Sequence, residues 1–183
     1  MKRLFLAAVS TALLGACSSM GGDGQTTMAG ETAPMPGDMT PEDARTYVMM
    51  AGASDMFEIE SSQMALSRAT RPEVRQYAQM LIQHHTQTTQ QVMAAARAAG
   101  MSPPPPKLMP MQVRMLEELR RASDANFDRD YLQQQVPAHE MALALHRNYA
   151  QDGDTPALKS VAGTAVPIVQ SHLDQARQLG GRT

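Results

Sequence analysis

In 183 residues the sequence has one cysteine, no tryptophan, four tyrosines and three phenylalanines. A lone cysteine excludes a disulfide framework within the chain. So few aromatic side chains argue against a sandwich or barrel, whose strands draw on aromatic and β-branched residues. Positive charge is not in excess either: 16 Lys+Arg stand against 18 Asp+Glu, a net charge of -2, which excludes the basic face of a nucleic-acid binder. No nucleophile elbow and no phosphate loop is present. What is abundant is alanine, glutamine, arginine and methionine, the last with 16 copies. These are helix formers, and they predict an all-α fold.

Residues 1–16, MKRLFLAAVSTALLGA, have a basic start, an apolar middle and small residues at the end, the pattern of a secretory signal peptide. The apolar part, about eleven residues, is too short to span a bilayer as a helix. Cys17 follows Leu14-Gly15-Ala16 directly, and this resembles the lipobox of bacterial lipoproteins. The resemblance implies export, lipidation of Cys17 and a membrane anchor, and Ser18 after the cysteine implies the outer membrane, facing the periplasm. Loss of Lys2 and Arg3 with the leader leaves 14 basic against 18 acidic residues, a net charge of -4. Residues 17–39 are rich in Gly, Ser, Thr and Pro without apolar period and read as a flexible tether. Met20, Met28, Met35 and Met39 lie in it; thioethers suit Cu(I), but methionine is more often an adaptable filler.

Residues 40–183 carry helical periodicity. Helix 1 is expected to open at Thr40-Pro41-Glu42-Asp43, a cap followed by proline and acids, and to end near Arg68 or Ala69. Its inward stripe is Val48, Ala51, Asp55, Glu58, Ser62 and Ala65. Two carboxylates on such a stripe require partners. Helix 2 opens at Thr70-Arg71-Pro72-Glu73, which fits a capping box, and stops at Gly100. Its stripe is Val74, Ala78, Leu81, His85, Thr88, Val92, Ala95 and Ala99, with His84 one residue round beside Tyr77 and Leu81. Pro103 to Pro106 interrupt the helical chain. A short crossover helix, Met109 to Ala122, puts Val113, Leu116 and Leu119 on one side.

Helix 3 is expected over Asp124 to Gln151, with Leu132, Val136, His139, Leu143, His146 and Ala150 inward and a kink at Pro137. Helix 4 begins at Asp154-Thr155-Pro156, ends at Gly180-Gly181 and carries Leu158, Ala162, Ala165, Val169, His172, Ala176 and Leu179, with Pro167 inside. Counted from Thr70, Glu58 lies 12 residues back and His84 and His85 lie 14 and 15 forward. An antiparallel pair therefore makes Glu58 the expected partner of these imidazoles. Counted from Gly153, His139 is 14 back and His172 is 19 forward, a mismatch of roughly 7 to 8 Å for the proline kinks to absorb. His146 is 7 back, and its membership of the cluster stays open.

All five histidines thus fall on inward positions. A bundle drawing Glu58, His84, His85, His139 and His172 from four helices, with His146, Asp55 and Met80 as further candidates, has the architecture of the ferritin-like proteins. The fold class expected is an antiparallel ferritin-like four-helix bundle with a short crossover helix. One glutamate and several neutral imidazoles suit a single transition-metal ion, Zn, Cu, Ni or Fe.

The stretches MFEIESSQMALSRATRPEVRQYAQMLIQHHTQ, FDRDYLQQQVPAHEMALALHRNYA and DTPALKSVAGTAVPIVQSHLDQARQL resemble the bacterial exported family known as domain of unknown function 4142. The resemblance covers about residues 44–179 and implies the ferritin-like fold. It matches the family's helix 1 glutamate to Glu58, the histidine of its Asp-His pair to His85, its helix 3 histidine to His139, and its Leu-Pro with a following histidine to Val166-Pro167 and His172. Two positions depart from the pattern. His84 stands where the family has aspartate, which exchanges a hard anionic group for a softer neutral one, and His146 stands where an aromatic is common.

Three readings follow. The first is an envelope protein that binds or buffers a metal. The second is a structural or interaction module in which the imidazoles and Glu58 hydrogen-bond to one another and to buried water. The third, a di-iron oxidase, wants Glu-x-x-His on two helices, and no histidine here has an acid three residues before it. No catalytic residue is assigned, and no partner beyond the membrane is specified.

Overall fold

A computed structural model describes residues 41–181. The leader, Cys17, the tether and Thr40 lie outside the described residues. Among these there are five helices and no strand: α1 Ala44–Arg68, α2 Pro72–Ala98, α3 Pro110–Arg121, α4 Asp124–Asp152 and α5 Pro156–Gly180. Helix α1 packs against α2 and α4, and α5 packs against the same two, so the four long helices form a ring with α1 opposite α5. Helix α3 lies outside, on α1 and α4.

Helix α1 is capped by Asp43, whose carboxylate accepts from the Thr46 amide at 2.8 Å, and not by a Thr40-Pro41 start. The expected capping box of α2 does not form either; Arg71 is the cap position and its side chain makes no cap bond. The two amides just ahead of the helix are held from across the bundle by the buried Asp128 of α4, which accepts from Thr70 N (3.0 Å), Thr70 Oγ1 (2.9 Å) and Arg71 N (2.9 Å). Removing that carboxylate leaves three donors short of an acceptor. Asp128→Ala should therefore cost about 2 kcal/mol in a urea melt, the range for bonds to a charged group; a loss under about 0.5 kcal/mol would refute the cap.

Helix α2 closes at Gly100, whose φ of 79° is left-handed and so suits glycine. The chain then returns through the proline segment, which Gly52 admits: a Cβ there would lie 3.1 Å from Pro106. Arg68 fastens the α3–α4 turn, donating to Ala122 O at 2.6 Å and lying 4.6 Å over the Phe127 ring. In α3, Leu116 and Leu119 are buried as expected, but Val113 is 40% exposed. The exposed apolar side chains, Val113 with Met109 and Met111, gather at the N-terminal end of α3, and the buried ones lie in its C-terminal half.

Two apolar clusters fill the ends of the bundle. One gathers Ala65, Val74, Tyr77, Leu81, Phe127, Tyr131, Leu132, Ala176 and Leu179. The other gathers Tyr47, Val48, Ala51, Val92, Ala96, Leu145, Tyr149, Leu158 and Ala162. Asp55, Glu58, His85, His139 and His172 sit between them along their helices, all buried. Helices α4 and α5 run unbroken through Pro137 and Pro167.

Candidate metal centre

The polar layer is built by position along each helix. Asp55 precedes Thr70 by 15 residues and His85 follows it by 15, so an antiparallel α1–α2 pair sets them face to face. His85 Nδ1 donates to Asp55 Oδ1 at 2.7 Å, and Thr89, one turn on, donates to Asp55 Oδ2 at 2.8 Å. The partner of His85 is therefore Asp55, not Glu58 as the residue count suggested. Glu58 lies one turn further along α1, with Oε1 3.6 Å from His139 Nδ1. In α4, His139 Nδ1 donates to the Gln135 carbonyl at 2.9 Å.

His172 of α5 meets His84 through Nε2 at 2.8 Å. The rings of His85, His139 and His172 stand 5.2 to 5.6 Å apart, centroid to centroid. One ligand atom from each lies within 4.8 Å of those of the other two. His85 Nε2, His139 Nε2 and His172 Nδ1 are buried without a hydrogen-bond partner. Three helices thus bring together three imidazoles, each with one nitrogen engaged and one free.

The electrostatics follow from burial. Desolvation pushes His139 down to about 3 and His172 to about 2, helped in both by charge on His85. At His85 burial acts in the same direction, but the bond to Asp55 and its charge outweigh it and raise the value above the usual 6.5. Desolvation pushes Glu58 up to about 8, only partly offset by His85, and neither carboxyl oxygen has a hydrogen-bond partner.

The metal-free protein should accordingly be most stable near pH 6.5. Below that, the unfolded chain takes up protons that the folded imidazoles of His139, His146 and His172 refuse, and stability falls; Glu58, protonated in the fold and ionised in the unfolded chain above 4.5, offsets only one of the three. Above 6.5 the fold retains protons on Glu58 and His85 that the unfolded chain releases, and stability falls again. Thermal melts in chelator across pH 5 to 8 check this, and a flat or monotonic profile would contradict it.

A sequence model of the family described as Domain of unknown function (DUF4142) matches residues 29–179. The chain belongs to this family. No curated protein matches it by sequence. Among solved structures the DUF4142 chain is similar to CopM in its Cu(I)-bound form, at 21% identity over 74% of this chain and 93% of that one, with a TM-score of 0.63. It is also similar to CopM in its Cu(II)-bound form, at 19% identity over 76% and 97% with a TM-score of 0.65, and to a DUF305 fragment from Deinococcus radiodurans, at 18% over 79% and 98% with a TM-score of 0.67. At these identities the likeness is one of fold, the helical bundle.

Of the residues singled out in the DUF4142 sequence, His85, His139 and His172 converge. His84 is half-buried on the far side of His172, and Glu58 stands beside His139 outside the triad. Asp55 backs His85. His146 is buried but turned to Tyr47, whose hydroxyl is 3.1 Å from its Nδ1, and desolvation holds it down to about 4. Met80 packs on the apolar cluster around Tyr77 and Leu81. The sequence reading missed Thr89, Gln135 and Tyr47. Thr89 had a signal, because it repeats His85 one turn later and so faces the same carboxylate; a backbone carbonyl such as that of Gln135 leaves none.

Proposed function

We propose that this DUF4142 chain is a lipid-anchored envelope protein that holds one transition-metal ion at His85, His139 and His172, copper(I) before the divalent ions. One observation carries the reading: three buried imidazoles from three helices offer ligand atoms within 4.8 Å of one another, and each retains a nitrogen with no partner. No protein group takes those nitrogens, so protein-to-protein hydrogen bonds alone do not account for the cluster, and an unpaired buried polar group is costly. Neutral imidazole is a ligand for copper and zinc alike.

Charge favours the monovalent ion. With Glu58 held neutral up to about pH 8, the centre would offer three neutral rings once an incoming ion displaces the second proton of His85, and, one bond behind His85, the carboxylate of Asp55. A single positive charge balances that carboxylate, whereas a second would need Glu58 to ionise. The Cu(I)-bound and Ag-bound CopM structures share the fold, which supports copper and silver as the first ions to test. Anchoring rests on the lipobox and Cys17; palmitate labelling lost in Cys17→Ser is the expected result, and labelling that persists would refute it.

The deciding experiment is elemental analysis of protein isolated from the envelope without chelator, beside His85→Ala/His139→Ala. Close to one metal per chain in the parent and none in the variant is expected. A folded parent that carries no metal and takes up none on titration would overturn the reading.

A further inference from the structure

We infer that His84 is not a ligand but the residue that determines which nitrogen of His172 carries the proton, so that the core-facing one keeps its lone pair and completes the donor set. The inference rests on the metal-binding reading above. At two of the three imidazoles the proton's place is dictated. The Gln135 carbonyl can only accept, so His139 Nδ1 carries the hydrogen and Nε2 keeps its lone pair. The Asp55 carboxylate does the same for His85.

At His172 the partner is another imidazole, which can donate or accept. The 5.1 Å centroid separation and 16° interplanar angle of the two rings describe an edge-to-edge, nearly coplanar meeting through the 2.8 Å contact. In that arrangement an N–H aims along the facing lone pair. If His84 Nδ1 donated, a neutral His172 would carry its proton on Nδ1, which is buried and without partner; the centre would then face an N–H instead of a lone pair. If His84 Nδ1 accepts, His172 Nε2–H is satisfied and Nδ1 turns a lone pair inward, as Nε2 does on His85 and His139. Only the second arrangement gives three donors.

The remainder of the site holds His172 for this role. Tyr77 Oη donates to the His172 carbonyl at 3.1 Å, fixing the backbone, and α2 supplies His84 beside His85, so one helix provides a ligand and orients another. His84 itself is half-buried and does not join the group of three. It is a positioning residue.

Two variants separate an acceptor from a ligand. In His84→Asn the Oδ1 atom is bonded to Cγ as Nδ1 is in histidine, so an acceptor of similar reach is kept and the imidazole is lost. His84→Leu keeps bulk and removes the acceptor. Both are made in a Cys17→Ser background, because a free thiol would compete for a soft ion, and are titrated with Ag(I) alone. Parent and His84→Asn should bind one ion with affinities within about threefold, and His84→Leu should bind at least about tenfold more weakly, the range for loss of an outer-sphere partner. Nitrogen-15 NMR of the metal-free proteins reports the tautomer directly: His172 protonated on Nε2 in parent and His84→Asn, and a mixture in His84→Leu.

Equal loss in both variants would make His84 a ligand and overturn the inference, as would parent-like binding by His84→Leu. A parent that binds no Ag(I) refutes the metal-binding reading and this inference with it. A metal-binding parent with metal-free His172 protonated on Nδ1 refutes this inference alone.

Discussion

Saturating Ag(I) should raise the melting temperature of the protein by about 10 °C or more, and should leave His85→Ala/His139→Ala unmoved. An ion that binds only the folded state stabilises it by RT ln(1 + [L]/Kd), about 4 kcal/mol when free ion exceeds Kd a thousandfold. For a domain of this size each kcal/mol is worth about 3 °C or somewhat more. The ordering cost of forming the centre is small, because Asp55, Gln135 and His84 already hold the three rings within hydrogen-bonding distance. The double variant removes two of three donors on different helices, so what remains is one buried imidazole. Calorimetry in Cys17→Ser protein checks this. An equal shift in the double variant would place the silver elsewhere, on the many methionines for instance, and would leave the triad without a role.

The parts of the structure that periodicity controls were legible in the chain. Every residue of the stripe from Leu158 to Leu179 in α5 is buried, as are all six positions of the α1 stripe. The α2 stripe held from Val74 to Val92 and then drifted: Ala95 is half-buried, Ala99 is exposed, and Ala96 has taken the inward place. A seam at alternating three- and four-residue spacing repeats every 3.5 residues while a straight helix turns in 3.6, a drift of about 20° per heptad, so over the three heptads from Val74 to Ala95 the buried face moves on by more than half a residue.

Partner choice was harder to read. The depth count set Glu58 near the level of His84 and His85, but one helical turn decides which carboxylate an imidazole meets, and the loop from Ala69 to Arg71 sets that turn. The cap of α2 was missed for a different reason. A local Thr-x-x-Glu pattern was present, yet Asp128, 58 residues away from Thr70, supplies the acceptor. His146 could not be assigned from its helix alone, because what places it outside the triad is Tyr47 on a helix 99 residues earlier in the chain.

Glu58→Leu should make the metal-free protein more stable, by about 2 to 4 kcal/mol at pH 7, and should leave Ag(I) binding intact. Most substitutions of a fully buried side chain destabilise, and the reason for the reversal lies in what surrounds this one. Neither oxygen of Glu58 has a hydrogen bond, its nearest basic atom is His139 Nδ1 at 3.6 Å, and that atom is already donating to Gln135. The carboxyl is therefore buried with too little compensation, from the charge on His85 and the side chain of Gln135, to offset desolvation, and is held protonated to about pH 8. Neutralising an acid that the unfolded chain would ionise costs about 1.4 kcal/mol for each pH unit above its ordinary value. That cost begins near pH 4.5 and grows until pH 8, so the gain from leucine should be small at pH 5 and largest at pH 8. Leucine has similar bulk and asks for no partner, and exchanges of this kind at poorly satisfied buried charges stabilise by about 1 to 4 kcal/mol. Glu58→Gln is the control: it removes the ionisation but leaves an amide without partners, and so should recover only part of the gain. Urea melts at both pH values decide the matter. A Glu58→Leu protein less stable than the parent at pH 8 would mean that the carboxylate is paired in solution, and its loss of Ag(I) affinity alongside would move Glu58 from beside the triad into the donor set.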